Sequence, residues 1–295
     1  MAVIRTEGLT KYYGRTRGVL DLNLEVQAGE VFGFLGPNGA GKTTTIRIFL
    51  DLLRPTRGTA LVLGMVPSRD SLAVRRRVGY LAGDVEHYGN LRGGDQLRYL
   101  AALRGGVDWS RVRALADRFA LDLSRPIRTL SRGNKQKLSL VQAFMHRPEL
   151  LILDEPTSGL DPLLQQEFRQ LIRETAANGA TVFLSSHIMQ EVEALCDRVA
   201  IVREGKLAAV ETIADLRGRA LRRVRARFAN PPPAGFADLA GISGIQLDGN
   251  VLTAMLQGSP DQLIRRLAQY RLEDLVVEEP ELEEVFMALY GGAQP

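Results

Sequence analysis

The stretch Val31-Phe-Gly-Phe-Leu35-Gly36-Pro37-Asn38-Gly39-Ala40-Gly41-Lys42-Thr43-Thr44 passes from an apolar run through a glycine-rich loop into helix-compatible residues. A strand that turns through Gly36-x-x-x-x-Gly41-Lys42-Thr43 into a helix is a phosphate-binding loop. Its glycines let backbone N–H groups wrap an anion at the positive end of a helix. Lys42 carries a point charge to the outer phosphates, and the Thr43 hydroxyl suits Mg²⁺. The pattern implies a nucleoside triphosphate as ligand. Gly36, Pro37, Asn38, Gly39, Ala40, Gly41, Lys42, Thr43 and Thr44 are the expected contacts, in an α/β P-loop fold.

Downstream, Leu150-Leu-Ile-Leu-Asp154-Glu155 delivers two acids at the carboxyl end of an apolar strand, where parallel sheets place their ligands. Phosphoryl transfer needs charge neutralisation and a positioned nucleophile. Asp154 is therefore expected to hold Mg²⁺ with Thr43, and Glu155 to orient the attacking water. Between the two motifs lies Leu130-Ser131-Arg132-Gly133-Asn134-Lys135-Gln136, ahead of a helical stretch over 135–146. Ser131 reads as a helix N-cap, and with Gly133 it could equally present a helix start to a phosphate.

With these three motifs in this order, residues 3 to about 216 resemble one ATP-binding cassette (ABC) of the P-loop NTPases. The family's signature reads Leu-Ser-Gly-Gly-Gln; here Arg132 and Asn134 stand for its first Gly and its Gln. The resemblance implies ATP and Mg²⁺ as cofactors and an ATPase. It implies that Tyr13, in Lys11-Tyr-Tyr-Gly14, stacks on adenine and that Ser158-Gly-Leu-Asp161 touches a facing protomer. His187, after Ser186, would sense the γ-phosphate and join Glu155 and Lys42 in catalysis. A single cassette implies a nucleotide-dependent head-to-tail homodimer, with Ser131 and Gly133 of one copy closing on the P-loop of the other.

The signature variant, the run Val78-Gly-Tyr-Leu81 and the tail Pro280-Glu-Leu-Glu-Glu-Val-Phe286 resemble bacterial drug-resistance-type exporters, including the daunorubicin and bacitracin resistance ATPases. That branch implies a separate integral membrane permease and a peripheral place on the cytoplasmic face of the membrane. Rival readings are a soluble ABC ATPase acting on DNA or ribosomes and a binder without turnover. The chain lacks long heptad insertions and a second cassette, and it carries Lys42, Asp154, Glu155 and His187 together. One position departs from the family: Gly83 aligns with a glutamine that usually joins the Mg²⁺ shell, leaving Asp84 as the nearest polar substitute.

Composition excludes several classes. The 295 residues are 45% hydrophobic and 24% charged, enough for about two domains. A net charge of +4 does not call for a nucleic-acid partner, and none is expected. One cysteine, Cys196, and three scattered histidines offer neither a disulfide nor a zinc site. No apolar run approaches the roughly 20 residues that cross a bilayer, so the expectation is a chain neither secreted nor membrane-spanning.

The cassette is expected over 1–219, with a helical subdomain near 85–148. Strands over 3–7, 22–26 and 59–63 should form an antiparallel edge layer beside the P-loop strand. A helix should run from the P-loop through Leu53 to stop at Pro55. Strands over 150–153, 181–185 and 198–202, alternating with helices over 162–177 and 189–196, call for a parallel sheet. Beyond it, 220–295 reads β-α-β-β-α-β, the ferredoxin-like order, with helices over 236–240 and 261–268. Arg223, Arg225 and Arg227 alternate with Val224, Ala226 and Phe228 as in a half-buried strand. A final amphipathic helix is expected over 282–290.

Overall fold

The chain opens with a long antiparallel hairpin, β1 (Ala2–Tyr13) and β2 (Thr16–Gln27), in which Ile4 faces Val26 and Thr6 faces Leu24. β3 (Val31–Leu35) follows, then the glycine loop, α1 (Lys42–Phe49) and β4 (Arg57–Val62), which returns to pair with β1. Next come α2 (Ser71–Arg77), β5 (Val78–Leu81) and three helices, α3 (Gly93–Leu103), α4 (Trp109–Arg118) and α5 (Arg132–Phe144). The chain then alternates through β6 (Leu150–Asp154), α6 (Pro162–Ala177), β7 (Thr181–Ser186), α7 (Met189–Leu195), β8 (Arg198–Arg203) and β9 (Lys206–Thr212). This is a computed structural model describing residues 1–83, 87–219, 221–230, 236 and 239–278.

Two sheets result: the antiparallel layer β2-β1-β4, and a six-stranded sheet ordered β5-β6-β7-β3-β8-β9 whose first four pairings are parallel. Every residue of β3, β6 and β7 is buried, which explains their near-continuous apolar sequence. Phe183 of β7 anchors the core, with ring centroids 6.1 Å from Phe32, 5.3 Å from Phe34 and 5.6 Å from Phe49. Because β3 pairs with β7 and β8, it meets the antiparallel layer through the shared core, where Phe32 and Phe34 join Ile4 and Val26, and not as a paired strand. Strand order follows crossovers, and local pattern does not report them.

Three further expectations are corrected. α1 ends at Phe49 instead of running through Leu53; Asp51 adopts φ +54°, and the Leu52 and Leu53 N–H groups fold back on the Arg47 carbonyl at 2.8 and 3.2 Å. Pro55 therefore does not terminate it. α2, β9 and α8 (Ile213–Arg219) were not anticipated at all. α5 begins at Arg132, directly after its Ser131 cap, instead of at residue 135.

The chain divides into two compact units, Met1–Val210 and Glu211–Pro295. In the second, β10 (Arg222–Phe228), β11 (Ile242–Asp248), β12 (Val251–Leu256), α9 (Asp261–Leu267) and β13 (Leu272–Glu278) build an antiparallel sheet ordered β11-β12-β10-β13, the ferredoxin-like arrangement. Arg223, Arg225 and Arg227 are exposed while Val224, Ala226 and Phe228 are buried. The helix expected over 236–240 is not found at Phe236, Leu239 or Ala240, the members of that stretch that are described. Phe236 reaches the core from irregular backbone, 5.9 Å from the Phe228 ring and 5.8 Å from that of Tyr270. The helix expected over 282–290, with the 280–286 tail, lies outside the described residues, as does Asp84.

Candidate active site

The glycine loop is shaped by what it cannot accommodate. A Cβ on Gly36 would lie 2.3 Å from the Val202 carbonyl oxygen, and one on Gly41 would lie 2.5 Å from that of Gly18. Gly41 also holds φ +101°, a conformation side-chain-bearing residues avoid. Pro37, Asn38 and Gly39 are exposed between buried Gly36 and Ala40, so the loop stands open to a ligand. α1 starts with no acid in its first turn, and the unpaired N–H groups there favour an anion. Lys42 is only 6% exposed; its ammonium donates to the carbonyls of Gly36 at 2.6 Å and Pro37 at 3.2 Å.

β6 brings the acids to this loop. Asp154 is 2% exposed; its Oδ2 accepts from the Thr43 hydroxyl at 2.8 Å, and its Oδ1 from the Ser185 hydroxyl. Two hard oxygen donors, one charged, thus meet at the helix start, a set that fits Mg²⁺. Glu155 turns sharply out of the strand with φ +49°, its N–H bonded to the Ser185 carbonyl and hydroxyl, each at 3.2 Å. His187 Nδ1 donates to Glu155 Oε2 at 2.8 Å. Glu155 Oε1 is buried, accepts no hydrogen bond and lies 3.3 Å from Lys42 Nζ. An orphaned carboxylate oxygen beside a phosphate loop fits a substrate water.

Asn38, Thr43, Asp154, Glu155, Ser158 and His187 line an open cleft of about 360 Å³. Tyr80 also lines it; burial and the Asp154 charge push its phenol up to about 12, so it stays a neutral hydroxyl. A Cβ on Gly83 would sit 3.6 Å from Asp154 Oδ2, ordinary van der Waals contact, so a side chain there would face the carboxylate.

The other expected site residues lie outside that lining. Tyr13 ends β1 with its ring 46% exposed and its hydroxyl 3.3 Å from the Thr44 hydroxyl, tying it to the P-loop helix. Ser131 caps α5, accepting from the Asn134 N–H at 3.3 Å, and Asp161 caps α6, accepting from the Leu164 N–H at 3.0 Å. A Cβ on Gly133 would lie 3.2 Å from the Gly159 carbonyl, so the signature and the loop after β6 touch within one chain.

Sequence reading missed Ser185, buried at the Asp154 carboxylate, and Glu191, which accepts from both the Thr157 and Ser186 hydroxyls. The pair Ser185-Ser186 ending an otherwise apolar strand was a visible signal, because buried hydroxyls need partners.

The ABC transporter family profile matches residues 19–158. A Streptomyces peucetius daunorubicin/doxorubicin resistance ATP-binding protein, DrrA, is 35% identical over 306 residues, covering 98% of this chain and 92% of its own. The chain belongs to the ABC transporter ATP-binding family. The Escherichia coli probable multidrug ABC transporter ATP-binding protein YbhF is 41% identical over 222 residues, 74% of this chain, which spans only 38% of that relative's length. A solved ATP-binding subunit of an ABC transporter, 32% identical, superposes with a TM-score of 0.68 over 73% of this chain and 92% of its own. The resemblance read from the motifs therefore holds, including its likeness to drug-resistance-type cassettes, and the fold is that of an ABC cassette.

Proposed function

We propose that this chain hydrolyses ATP as the cassette subunit of a drug-resistance-type exporter, driving a separate membrane permease by nucleotide-dependent head-to-tail dimerisation at the cytoplasmic face of the membrane. The observation that carries the reading is Glu155, with one oxygen fixed by His187 and the other free of hydrogen bonds but ion-paired to Lys42, next to the Thr43–Asp154 pair. Thr43 and Asp154 would hold Mg²⁺, which when bound neutralises phosphate charge.

Everything else is done by the chain's own groups. Loop N–H groups and the α1 dipole bind the phosphates. Lys42 exchanges a loop carbonyl or Glu155 for a phosphate oxygen. Glu155 Oε1 accepts a proton from the attacking water, and His187 keeps the carboxylate aimed. Exposed Tyr13 receives the adenine ring, and exposed Ser131 and Asp161 with half-buried Gly133 serve the facing copy. The family names of the relatives support the exporter reading and a drug-like cargo.

Glu155→Gln tests it. The amide keeps shape but loses the charge that polarises water, so turnover should fall on the order of 10²- to 10³-fold with ATP binding intact. Light scattering should show an ATP-dependent dimer. Wild-type phosphate release from this variant, with only monomer present, would refute the assignment.

A further inference from the structure

One buried polar cluster has no part in the chemistry above. Gln96 on α3 is 2% exposed, and its amide is fully used: Oε1 lies 3.1 Å from the Tyr88 N–H, and Nε2 lies 3.2 Å from Gln142 Oε1 on α5 and 2.9 Å from His87 Nδ1. A backbone N–H can only donate, so the amide oxygen must face Tyr88 and the NH₂ must face Gln142 and His87. An NH₂ can only donate in turn, so His87 Nδ1 bears no proton. The ring proton is therefore on Nε2, 3.1 Å from the Lys135 carbonyl, which also accepts from the Ser139 hydroxyl at 3.0 Å. Ser139 is 3% exposed, and its Oγ lies 3.0 Å from the same Nε2.

Lys135 stands one helical turn beyond the Ser131 cap, and its N–H donates to the Ser131 carbonyl at 2.9 Å. The imidazole thus grips the turn that presents the signature. We propose that His87, as its neutral Nε2–H tautomer, is a positioning residue that clips the segment after β5 to the first turn of α5 and so fixes Ser131 and Gly133 for a facing cassette. This rests on the head-to-tail reading. Burial holds the imidazole below its usual range, the charge of Lys135 acts the same way, and hydrogen bonds to Lys135 and Gln96 oppose them. Gln96 of α3 and Ser139 and Gln142 of α5 are uncharged, leaving Lys135 as the charged group acting on the ring among the described residues. A second ring proton, on Nδ1, would point at the Gln96 NH₂ and break the clip.

The test uses the full chain carrying Glu155→Gln, alone, with His87→Leu, and with His87→Leu plus Gln96→Leu. The double replacement exchanges both polar partners for apolar groups and controls for a merely unpaired amide. Fluorescent-nucleotide titration at the P-loop is expected to be unchanged. ATP-driven dimerisation is expected to weaken about tenfold in both His87 variants, a loss of 1.4 kcal/mol. It should also weaken in the parent at pH values below the usual imidazole range, with that acid limb absent from the His87 variants. Dimerisation equal to the parent's in the double variant, at every pH, overturns the clip. Failure of the Glu155→Gln parent to dimerise instead overturns the head-to-tail reading. Long-range ¹H–¹⁵N spectra of the His87 ring decide the clip separately: the Nε2–H tautomer at pH 7.5 supports it, and an Nδ1–H or doubly protonated ring overturns it.

Discussion

Lys42, Asp154 and Glu155 are buried or half-buried and answer one another inside a single chain, whereas Tyr13, Ser131 and Asp161 are exposed, the latter two capping their own helices and Tyr13 touching Thr44. The first group brings a cation, two carboxylates, a hydroxyl and a histidine into mutual contact, the set the proposed hydrolysis would need. The second is geometrically finished, with capped helices and an exposed ring over which Lys11 Nζ sits 5.6 Å from the centroid, yet none of it lines the cleft. Under the head-to-tail proposal the second group would serve another copy, which would separate what one chain binds from what two do.

The largest effect should come from removing the cation at the centre of the first group. Lys42→Ala is expected to reduce ATP affinity and turnover on the order of 10²-fold or more, because a buried charge-assisted contact is lost; isothermal titration measures it. Ser131→Arg should instead leave binding to the isolated chain intact and abolish turnover. Mixing the two inactive variants should restore activity in part, since a mixed head-to-tail dimer keeps one intact composite site. No recovery in the mixture would mean that the two groups serve the same chain.

Much of the first group was legible because sterics and charge write it locally. Gly36 and Gly41 admit no side chain, and an apolar strand ending in Asp154-Glu155 has few structural uses. The second group needed the resemblance, since Ser131 and Asp161 are ordinary caps when read alone. The His87–Gln96–Gln142 cluster was invisible: its members lie on α3, on α5 and on the segment after β5, and only their side-chain geometry joins them. The end of α1 was misread because Asp51 supplies a left-handed turn for which Pro55 is a stronger but wrong signal. α2 and α8, each seven residues long, have too few turns for periodicity to show.

A stability test comes next in size. His146 Nε2 meets the Val78 carbonyl at 3.2 Å, Nδ1 is buried without a partner, and burial with nearby Arg104 and Arg111 pushes the imidazole down to about 4. Its folded value lies below the unfolded one, so its contribution is complete above about pH 6.5 and is lost as pH falls toward 4. The loss is at most about 3 kcal/mol, less after solvent screening, and His87 adds in the same direction. Urea midpoints at pH 7.5 and 5 should differ accordingly, and His146→Gln should flatten the slope.

Smaller effects test the edges of the comparison. Gly83→Gln is expected to change turnover less than about threefold, because its Cβ has room beside Asp154. A larger fall would show that the carboxylate tolerates no new neighbour. Truncation after Arg219 should leave nucleotide binding unchanged while weakening dimerisation or coupling, since the site residues all precede it. Loss of ATP binding in a folded truncated chain would tie the second unit to the first group.

Lys42 also sets an order of events. Its ammonium donates to the Gly36 and Pro37 carbonyls and sits 3.3 Å from Glu155 Oε1 as an ion pair. Substrate entry is therefore an exchange reaction, in which each new phosphate contact displaces an internal one. In the proposed mechanism, the carboxylate that would activate water is ion-paired with the same cation that the phosphate would claim. Where the phosphate displaces Glu155, releasing the base and seating the substrate would be a single step, tying water activation to occupancy.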